Sequence, residues 1–265
     1  MAQFGTYEDI AVDVNDYVAV VEIQRPPLNF FDYDLIAQIA DAFEALDASD
    51  TCRAIVLAAQ GKHFCAGANF GDGSDDKVKT GGGGRKPTGH LYQEAVRLFR
   101  TGKPVVAAVQ GAAIGGGLGL AVMADFRVTC PEARFAANFT RLGFHPGFGL
   151  TTTLPEIVGK NNATMMFYTS RRIKGEDAAA MGLADVLVPQ DQVRQAAIDL
   201  ATEMAQNSPL GVVETRATMR QGLADRVKAA TDHELAIQDR LRQTEDFREG
   251  IKATSERRLP NFVGR

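Results

Sequence analysis

Short apolar runs alternate with amphipathic stretches along the first 130 residues. Residues 10–14 and 17–23 are β-rich runs around Asn15-Asp16, which predicts a hairpin. Apolar side chains at helical spacing predict a helix over residues 32–46, with Asp32 or Asp34 near its cap. Further strands are predicted at 53–59, 104–109 and 125–130, and further helices at 90–99 and 117–124. Because strands and helices alternate, the sequence predicts an α/β fold with crossover connections.

The pattern becomes mainly helical after about residue 150. The late helices carry aliphatic stripes and charged faces, which are typical of packing or oligomer-forming elements. The sequence therefore predicts a core of residues 1–205 and a helical C-terminal region of residues 206–265. Residues 71–90 are rich in glycine and poor in core residues, so we expect a mobile loop that acts as a linker or an active-site lid.

Composition excludes several classes of function. The net charge is −4 and the basic residues are dispersed, whereas a nucleic-acid surface needs a basic cluster. The three cysteines have no metal-ligand spacing, and the N-terminus shows no signal peptide, so we expect a reduced, cytoplasmic protein without a metal. The apolar stretch 105–124 is long enough to span a bilayer, but its triple glycine favours a strand, a turn and a short helix.

Glycine occurs at positions 115, 116, 117 and 119 of the apolar segment "AAIGGGLGLAVMADF". A glycine-rich turn between a strand and a helix presents backbone N–H groups to an anion or a developing oxyanion. The dinucleotide fingerprint fails because Leu120 stands where its last glycine belongs. The segment "GKHFCAGANF" (61–70) also follows a predicted strand. Two such turns could each direct one N–H group at a single oxygen, which would form an oxyanion hole.

These segments resemble the crotonase (enoyl-CoA hydratase/isomerase) superfamily over nearly the whole chain. The resemblance rests on "GKHFCAGANF", "GKPVVAAVQGAAIGGGLGLAVMADFRV", "ARFAANFTRLGFHPGFG", "GEDAAAMGLADVLVP" and "EDFREGIKATSERRLPNF". It implies a ββα spiral with a helical C-terminal oligomerisation region, assembled as a homotrimer or a dimer of trimers. It also implies an acyl-CoA substrate and no cofactor beyond the CoA moiety.

The resemblance assigns the two oxyanion donors to the N–H groups of Ala68 and Gly116; the alternative is that both residues only form tight turns. CoA is expected near "RPPLNFF" and "HFCAGANF". Arg257 matches a basic position that in relatives reaches the CoA phosphates from a neighbouring subunit. An ordinary solvated charge is the other interpretation of Arg257.

The chain departs from the family pattern at two catalytic positions. Hydratases of the family carry glutamates where this sequence has Gly119 and Phe139. Losing one such acid typically costs about 10²–10⁴-fold in rate. The nucleophilic aspartate of the related 4-chlorobenzoyl-CoA dehalogenases falls on Gly147, which excludes that chemistry.

His145 is the candidate acid or base, because it stands where naphthoate synthases of the family carry a catalytic aspartate. Tyr92 is a second candidate, near the position of a catalytic histidine in the dehalogenases. The alternative for His145 is a histidine that only belongs to a loop. The alternative for Tyr92 is an aromatic residue that only lines the pocket.

Three functions remain open. The first is a lyase, an isomerase or a carbon–carbon bond enzyme of fatty-acid-type metabolism, acting on a cyclic or aromatic acyl-CoA. The second is an enoyl-CoA hydratase that uses non-standard residues. The third is a catalytically silent acyl-CoA binder.

Overall fold

Two β-sheets and the helices packed on them make up the computed structural model, which describes residues 4–69 and 90–265. The glycine-rich segment expected to be mobile spans residues 71–90. All of it except His90 lies outside the described residues. The larger sheet has the strand order β1-β2-β3-β4-β6-β9, and the smaller has the order β5-β7-β8. The strands are β1 (Ile10–Asn15), β2 (Val18–Ile23), β3 (Ala54–Ala59), β4 (Val105–Val109), β5 (Ala112–Ile114), β6 (Phe126–Thr129), β7 (Arg134–Ala136), β8 (Ile173–Lys174) and β9 (Val186–Leu187).

The predicted hairpin is present at β1 and β2. The strands pair antiparallel, with Asn15 opposite Val18. Asp16 and Tyr17 have φ values of 46° and 68°. This two-residue turn in the left-handed region matches the twist of the flanking strands.

The centre of the larger sheet is parallel from β2 through β9. Every residue of β3 and β4 is buried. Continuous apolar runs, instead of alternating ones, are typical of parallel strands that are covered on both faces. The chain leaves β3 into the segment that contains Gly67 and Ala68, and it passes from β4 through the short strand β5 to the glycines that begin at position 115.

The helices surround these sheets. They are α1 (Tyr33–Asp47), α2 (Leu91–Phe99), α3 (Gly116–Met123), α4 (Leu150–Thr169), α5 (Gly175–Ala180), α6 (Val193–Ala205), α7 (Pro209–Met219), α8 (Leu223–Leu241) and α9 (Glu245–Ser255). The Asp32 carboxylate caps α1 by accepting a hydrogen bond from the Leu35 N–H at 3.0 Å. Helix α8 packs against α2 and α4, and α9 packs against a 3-10 turn at Thr140–Leu142.

The apolar stretch 105–124 folds as β4, β5 and the whole of α3, as the triple glycine suggests. In residues 4–69 and 90–265, no helix combines the length and the apolar character needed to cross a membrane. The three cysteines are buried free thiols. Within the same ranges, no cluster of histidine, cysteine and carboxylate side chains could hold a metal ion.

Candidate active site

The two glycine-containing turns lie side by side. Cys65 forms a parallel bridge with Ala113. The Cys65 N–H donates to the Ala112 carbonyl at 2.9 Å, and the Ile114 N–H donates to the Cys65 carbonyl at 3.0 Å. These bonds hold the segment after β3 beside β5 and the start of α3.

The orientation of Ala68 follows from a second parallel bridge. Ala68 pairs with Phe31, whose N–H donates to the Gly67 carbonyl at 3.0 Å. In a parallel bridge the hydrogen bonds go to the residues on either side of the paired residue. The N–H of Ala68 therefore points away from Phe31.

Glycine is required where α3 begins. Gly115 has φ 56° and donates its N–H to the Ala136 carbonyl at 2.8 Å. A Cβ on Gly117 would lie 2.2 Å from the Cys65 carbonyl oxygen, so the two turns could not approach with a side chain there. Gly116 is the first residue of α3, and the N–H groups of a first helical turn have no acceptor within the helix.

Ala68 and Gly116 line the same cavity, which has a volume of about 260 Å³. Its wall is mostly apolar and includes Phe31, Phe139, Phe144 and Phe148. Among the described residues, the polar side chains of the wall are Asn69, His90, Tyr92, Asn138, Gln238, Arg242, Thr254 and Ser255. None of these is a carboxylic acid.

A buried polar network supports one side of the cavity. The Tyr92 hydroxyl donates to Oε1 of Gln238 at 2.9 Å, and Nε2 of Gln238 donates to the His145 carbonyl at 2.9 Å. A Cβ on Gly147 would lie 1.8 Å from the Tyr92 hydroxyl. Burial, followed by the charge of Glu234, raises the pKa of Tyr92 above its ordinary value. Tyr92 therefore remains a neutral phenol that fixes the loop before α4.

Glu234 anchors the other end of that loop. Its carboxylate accepts hydrogen bonds from the N–H groups of Gly149 and Thr151, at 2.8 and 3.1 Å, and from the Thr151 hydroxyl at 2.6 Å. This position at the start of α4 suits a negative charge. Burial nevertheless raises the pKa of Glu234 to about 7, against the opposing effect of these hydrogen bonds.

Comparison with known proteins assigns the chain to a family. The family model described as "Enoyl-CoA hydratase/isomerase" matches residues 13–265. The chain belongs to the enoyl-CoA hydratase/isomerase family. This confirms the resemblance and the fold class expected from the sequence.

Three relatives illustrate the range of the family. A probable enoyl-CoA hydratase of Rhodobacter capsulatus is 32% identical, covering 98% of this chain and 100% of the relative. A 1,2-epoxyphenylacetyl-CoA isomerase of Escherichia coli is 28% identical, covering 97% and 99%. A crystal structure of an enoyl-CoA hydratase/isomerase of Pseudoalteromonas atlantica has a TM-score of 0.86 at 27% identity, covering 97% of this chain and 100% of that one.

Apolar groups pack closely at Gly119 and Phe139, the two positions where the resemblance leads us to expect glutamates. A Cβ on Gly119 would lie 2.7 Å from the Cβ of Phe148. Phe148 is buried and holds φ 63°, an uncommon conformation for an aromatic residue. Phe139, at the second position, is also buried and lines the cavity. Side chains of aromatic residues thus fill the space that the resemblance reserves for the acids.

Of the predicted site residues, the structure brings Ala68, Gly116 and Tyr92 together at the cavity. His145 is not among the described lining residues. Its Nδ1 lies 2.8 Å from the Pro146 carbonyl oxygen, and its ring lies 6.4 Å from that of His233. Burial lowers its pKa. Its catalytic role stays a prediction.

Arg257 lies just beyond α9, is exposed and has φ 55°. It is not among the described lining residues of this chain's cavity. Its predicted contact with CoA across a subunit boundary stays a prediction.

His90 is a cavity residue that the sequence analysis did not select. It is the N-cap of α2, where its Nδ1 accepts a hydrogen bond from the Tyr92 N–H at 3.2 Å. The neutral imidazole therefore carries its proton on Nε2. The ring centroid lies 4.6 Å from that of Tyr92. The sequence feature that could have indicated His90 is its position directly before an apolar helical stretch. The same position is also typical of a residue that only caps the helix.

Glu234 and Gln238 were also missed. Both are fully buried on α8, in one stripe with Val227 and Thr231. The spacing 227, 231, 234 and 238 follows one helical face. The sequence feature that could have indicated Glu234 and Gln238 is their position as polar residues on a helix face that otherwise points to the core.

Proposed function

We propose that the protein binds an acyl-CoA thioester and polarises its carbonyl oxygen with the N–H groups of Ala68 and Gly116. The observation that carries this proposal is the meeting of the two turns at one cavity. Ala68 has its N–H directed away from the Phe31 bridge, and Gly116 opens α3. Donors aimed at a developing oxyanion stabilise an enolate because they need no reorganisation during the reaction.

The reaction we favour is isomerisation or lyase-type bond cleavage through an enolate, not simple hydration. The resemblance implies that water addition depends on two carboxylates, and it aligns Gly119 and Phe139 of this chain with them. No carboxylic acid lies among the described residues of the cavity wall. The isomerase among the relatives is consistent with this choice.

The acyl group we favour is cyclic or aromatic. Phe31, Phe139, Phe144 and Phe148 line the cavity, and the rings of Phe31 and Phe148 meet edge to face at 6.1 Å. Such rings offer edges and faces that match a planar apolar group.

Proton transfer at the acyl group is assigned to a histidine. His90 has its imidazole at the cavity wall, and His145 is the residue that the sequence indicates. A histidine titrates near neutral pH and can serve as acid or base. The variants His90→Ala and His145→Ala distinguish the two.

The test is hydrogen–deuterium exchange at the α-carbon of phenylacetyl-CoA in D₂O, followed by NMR. Exchange well above the uncatalysed rate, and its loss in Ala68→Pro, is the expected result. Binding without exchange would identify a silent acyl-CoA binder. Hydration of crotonyl-CoA at about 10–10³ per second would identify a hydratase instead.

We also propose assembly as a trimer or a dimer of trimers. Helix α7 exposes Leu210 and Met219, at 78% and 80% of their surface, beside a groove that includes Phe126 and Val212. Large apolar side chains grouped in this way are typical of subunit interfaces. The proposed role of Arg257 at a neighbouring site depends on this assembly.

A further inference from the structure

An asparagine amide lies beside the turn that begins α3. Strands β5 and β7 run parallel, with Ile114 opposite Ala136, and the Gly115 N–H donates to the Ala136 carbonyl at 2.8 Å. Asn138 follows β7 by two residues, and a Cβ on Gly115 would lie 3.2 Å from its Oδ1. Because a Cβ is one bond from its Cα, the amide is a close neighbour of the Gly115 backbone. It therefore lies next to the proposed oxyanion donor Gly116.

The Asn138 amide is open to a ligand. Asn138 lines the cavity and is half-buried. Within residues 4–69 and 90–265, its side chain neither donates nor accepts a hydrogen bond. An asparagine amide carries two N–H donors and one carbonyl oxygen, and rotation about its last side-chain bond exchanges their positions. A ligand oxygen at this point of the wall can therefore be met by an N–H donor.

The cavity wall around this amide is apolar. Ile114 and Phe139 line it, and the Phe139 ring lies 3.9 Å from the same Cβ position on Gly115. An acyl group that fills this space displaces water from the amide. An amide that loses water without gaining a partner weakens binding, whereas a ligand oxygen restores the hydrogen bond. The site therefore favours an acyl group with a polar atom close to its thioester carbonyl over a purely hydrocarbon one.

A carbonyl on carbon 3 of the acyl chain is the polar group that suits this position. Three carbon atoms separate its oxygen from the thioester oxygen, so the two oxygens can meet neighbouring donors. The charge of the enolate is then shared between them, which makes the α-hydrogen far more acidic than that of a simple thioester. No carboxylic acid lies among the described residues of the wall, and the proposed base is a histidine. An acidified substrate suits such a base because proton transfer is efficient when the two pKa values are close.

We infer that Asn138 donates a hydrogen bond to the 3-oxo oxygen of the acyl group, so that the substrate is a 3-oxoacyl-CoA. This inference rests on the proposed function, because the second oxygen reaches Asn138 only when the thioester carbonyl lies at Ala68 and Gly116. The phenylalanines of the wall contact the remainder of the acyl group. The competing explanation is that Asn138 only faces water in the cavity and takes no part in recognition.

The test compares matched ligands by isothermal titration calorimetry. The pairs are 3-oxohexanoyl-CoA with hexanoyl-CoA, and 3-oxo-3-phenylpropanoyl-CoA with 3-phenylpropanoyl-CoA; within each pair only the group on carbon 3 differs. We expect the 3-oxo member of at least one pair to bind about 5- to 50-fold more tightly, the effect of one hydrogen bond to an otherwise desolvated amide. Chromatography checks that the ligands are recovered intact. Turnover of a 3-oxo ligand would identify it as a substrate, and its kcat/KM should then fall by a similar factor in Asn138→Ala.

Two variants of Asn138 separate recognition from packing. Asn138→Ala should weaken binding of the 3-oxo members but leave binding of the other members unchanged or tighter, because the unpaired amide is gone. Asn138→Asp keeps the shape of the side chain and replaces its donor with a carboxylate, so the preference should be lost or reversed. Asn161→Ala is the matched control, because Asn161 is exposed on α4. It should leave the preference unchanged.

Equal affinities within both pairs overturn the inference while leaving the proposed function intact. A preference that persists in Asn138→Ala also overturns it, because another group then binds the 3-oxo oxygen. Equal weakening of both members by Asn138→Ala would make the role of Asn138 structural. Tighter binding of 3-hydroxyhexanoyl-CoA than of 3-oxohexanoyl-CoA would contradict the 3-oxo class. If Asn138→Ala fails to fold, Asn138→Asp decides by the same criteria. If none of the ligands binds, the proposed function itself fails.

Discussion

Gly119 and Phe148 share one space: a Cβ at position 119 would lie 2.7 Å from the Cβ of Phe148. The obstructing atom is next to the backbone, so it cannot rotate away. Phe148 is 1% exposed and is enclosed by core residues. The absence of a side chain at position 119 is therefore coupled to the close packing of Phe148.

Gly119→Ala should lower the free energy of unfolding by roughly 1–3 kcal/mol, which is typical of overpacking a core. Gly211→Ala is the control, because its Cβ meets Ser208 at an ordinary 3.4 Å in an exposed helix. The control should be neutral or slightly stabilising. Urea unfolding measures both. Equal effects of the two substitutions would contradict the coupling between Gly119 and Phe148.

Gly147 and Tyr92 should show energetic coupling. Gly147→Ala places a methyl group against the Tyr92 hydroxyl, so it should destabilise the protein strongly. Tyr92→Phe removes that oxygen and should relieve part of the strain, although Gln238 remains 2.6 Å from the new Cβ. The double variant should be less destabilised than the sum of the single variants by about 0.5–3 kcal/mol. Additive effects in urea unfolding would show that the contact does not constrain the loop.

Glu234 should make stability depend on pH near neutrality. Its pKa is raised from 4.5 to about 7 in the folded protein. The folded state thus binds a proton more tightly than the unfolded state. This contribution is fully present below about pH 4.5 and is lost as the pH rises through about 7. The loss is on the order of 1–3 kcal/mol.

Glu234→Gln should flatten this part of the pH profile of the unfolding free energy. The exposed Glu203→Gln is the matched control and should leave the profile unchanged. Urea unfolding between pH 5 and pH 8 measures the effect. An unchanged slope in Glu234→Gln would mean that Glu234 is not the titrating group.

Assembly and CoA binding should be linked through Arg257. Sedimentation is expected to show trimers or hexamers. Arg257→Gln should weaken the binding of CoA several-fold, whereas Arg248→Gln, on the exposed face of α9, should not. Two results together would contradict a role of Arg257 in CoA binding. The protein would be a stable monomer, and Arg257→Gln would bind CoA with unchanged affinity.

The sequence predicts the local structure of this protein well. The hairpin at Asn15-Asp16, the Asp32 cap and the buried strand β3 each follow from patterns within a few residues. The turns at Ala68 and Gly116 could be found because glycine marks a backbone conformation that other residues avoid. Strand β5 was missed, since three residues are too short to show a period.

The surroundings of the cavity could not be predicted in the same way. Tyr92 and Gln238 are 146 residues apart, and only the packing of α8 against α2 brings them together. The direction of the His145 ring depends on its contact with the Pro146 carbonyl, which the sequence does not encode as a pattern. The resemblance to the family indicated His145 as the candidate acid or base, whereas the folded chain brings His90 to the cavity wall.

The most direct test of the central claim is the infrared carbonyl stretch of hexanoyl-CoA, ¹³C-labelled at its thioester carbonyl and bound to the protein. Two N–H donors from Ala68 and Gly116 should shift the stretch below its frequency in buffer, because fixed donors in a dry cavity polarise the carbonyl more than water does. Ala68→Gly keeps the N–H and should keep the shift, whereas Ala68→Pro should reduce it. A bound carbonyl that absorbs at or above its frequency in buffer would contradict the oxyanion hole.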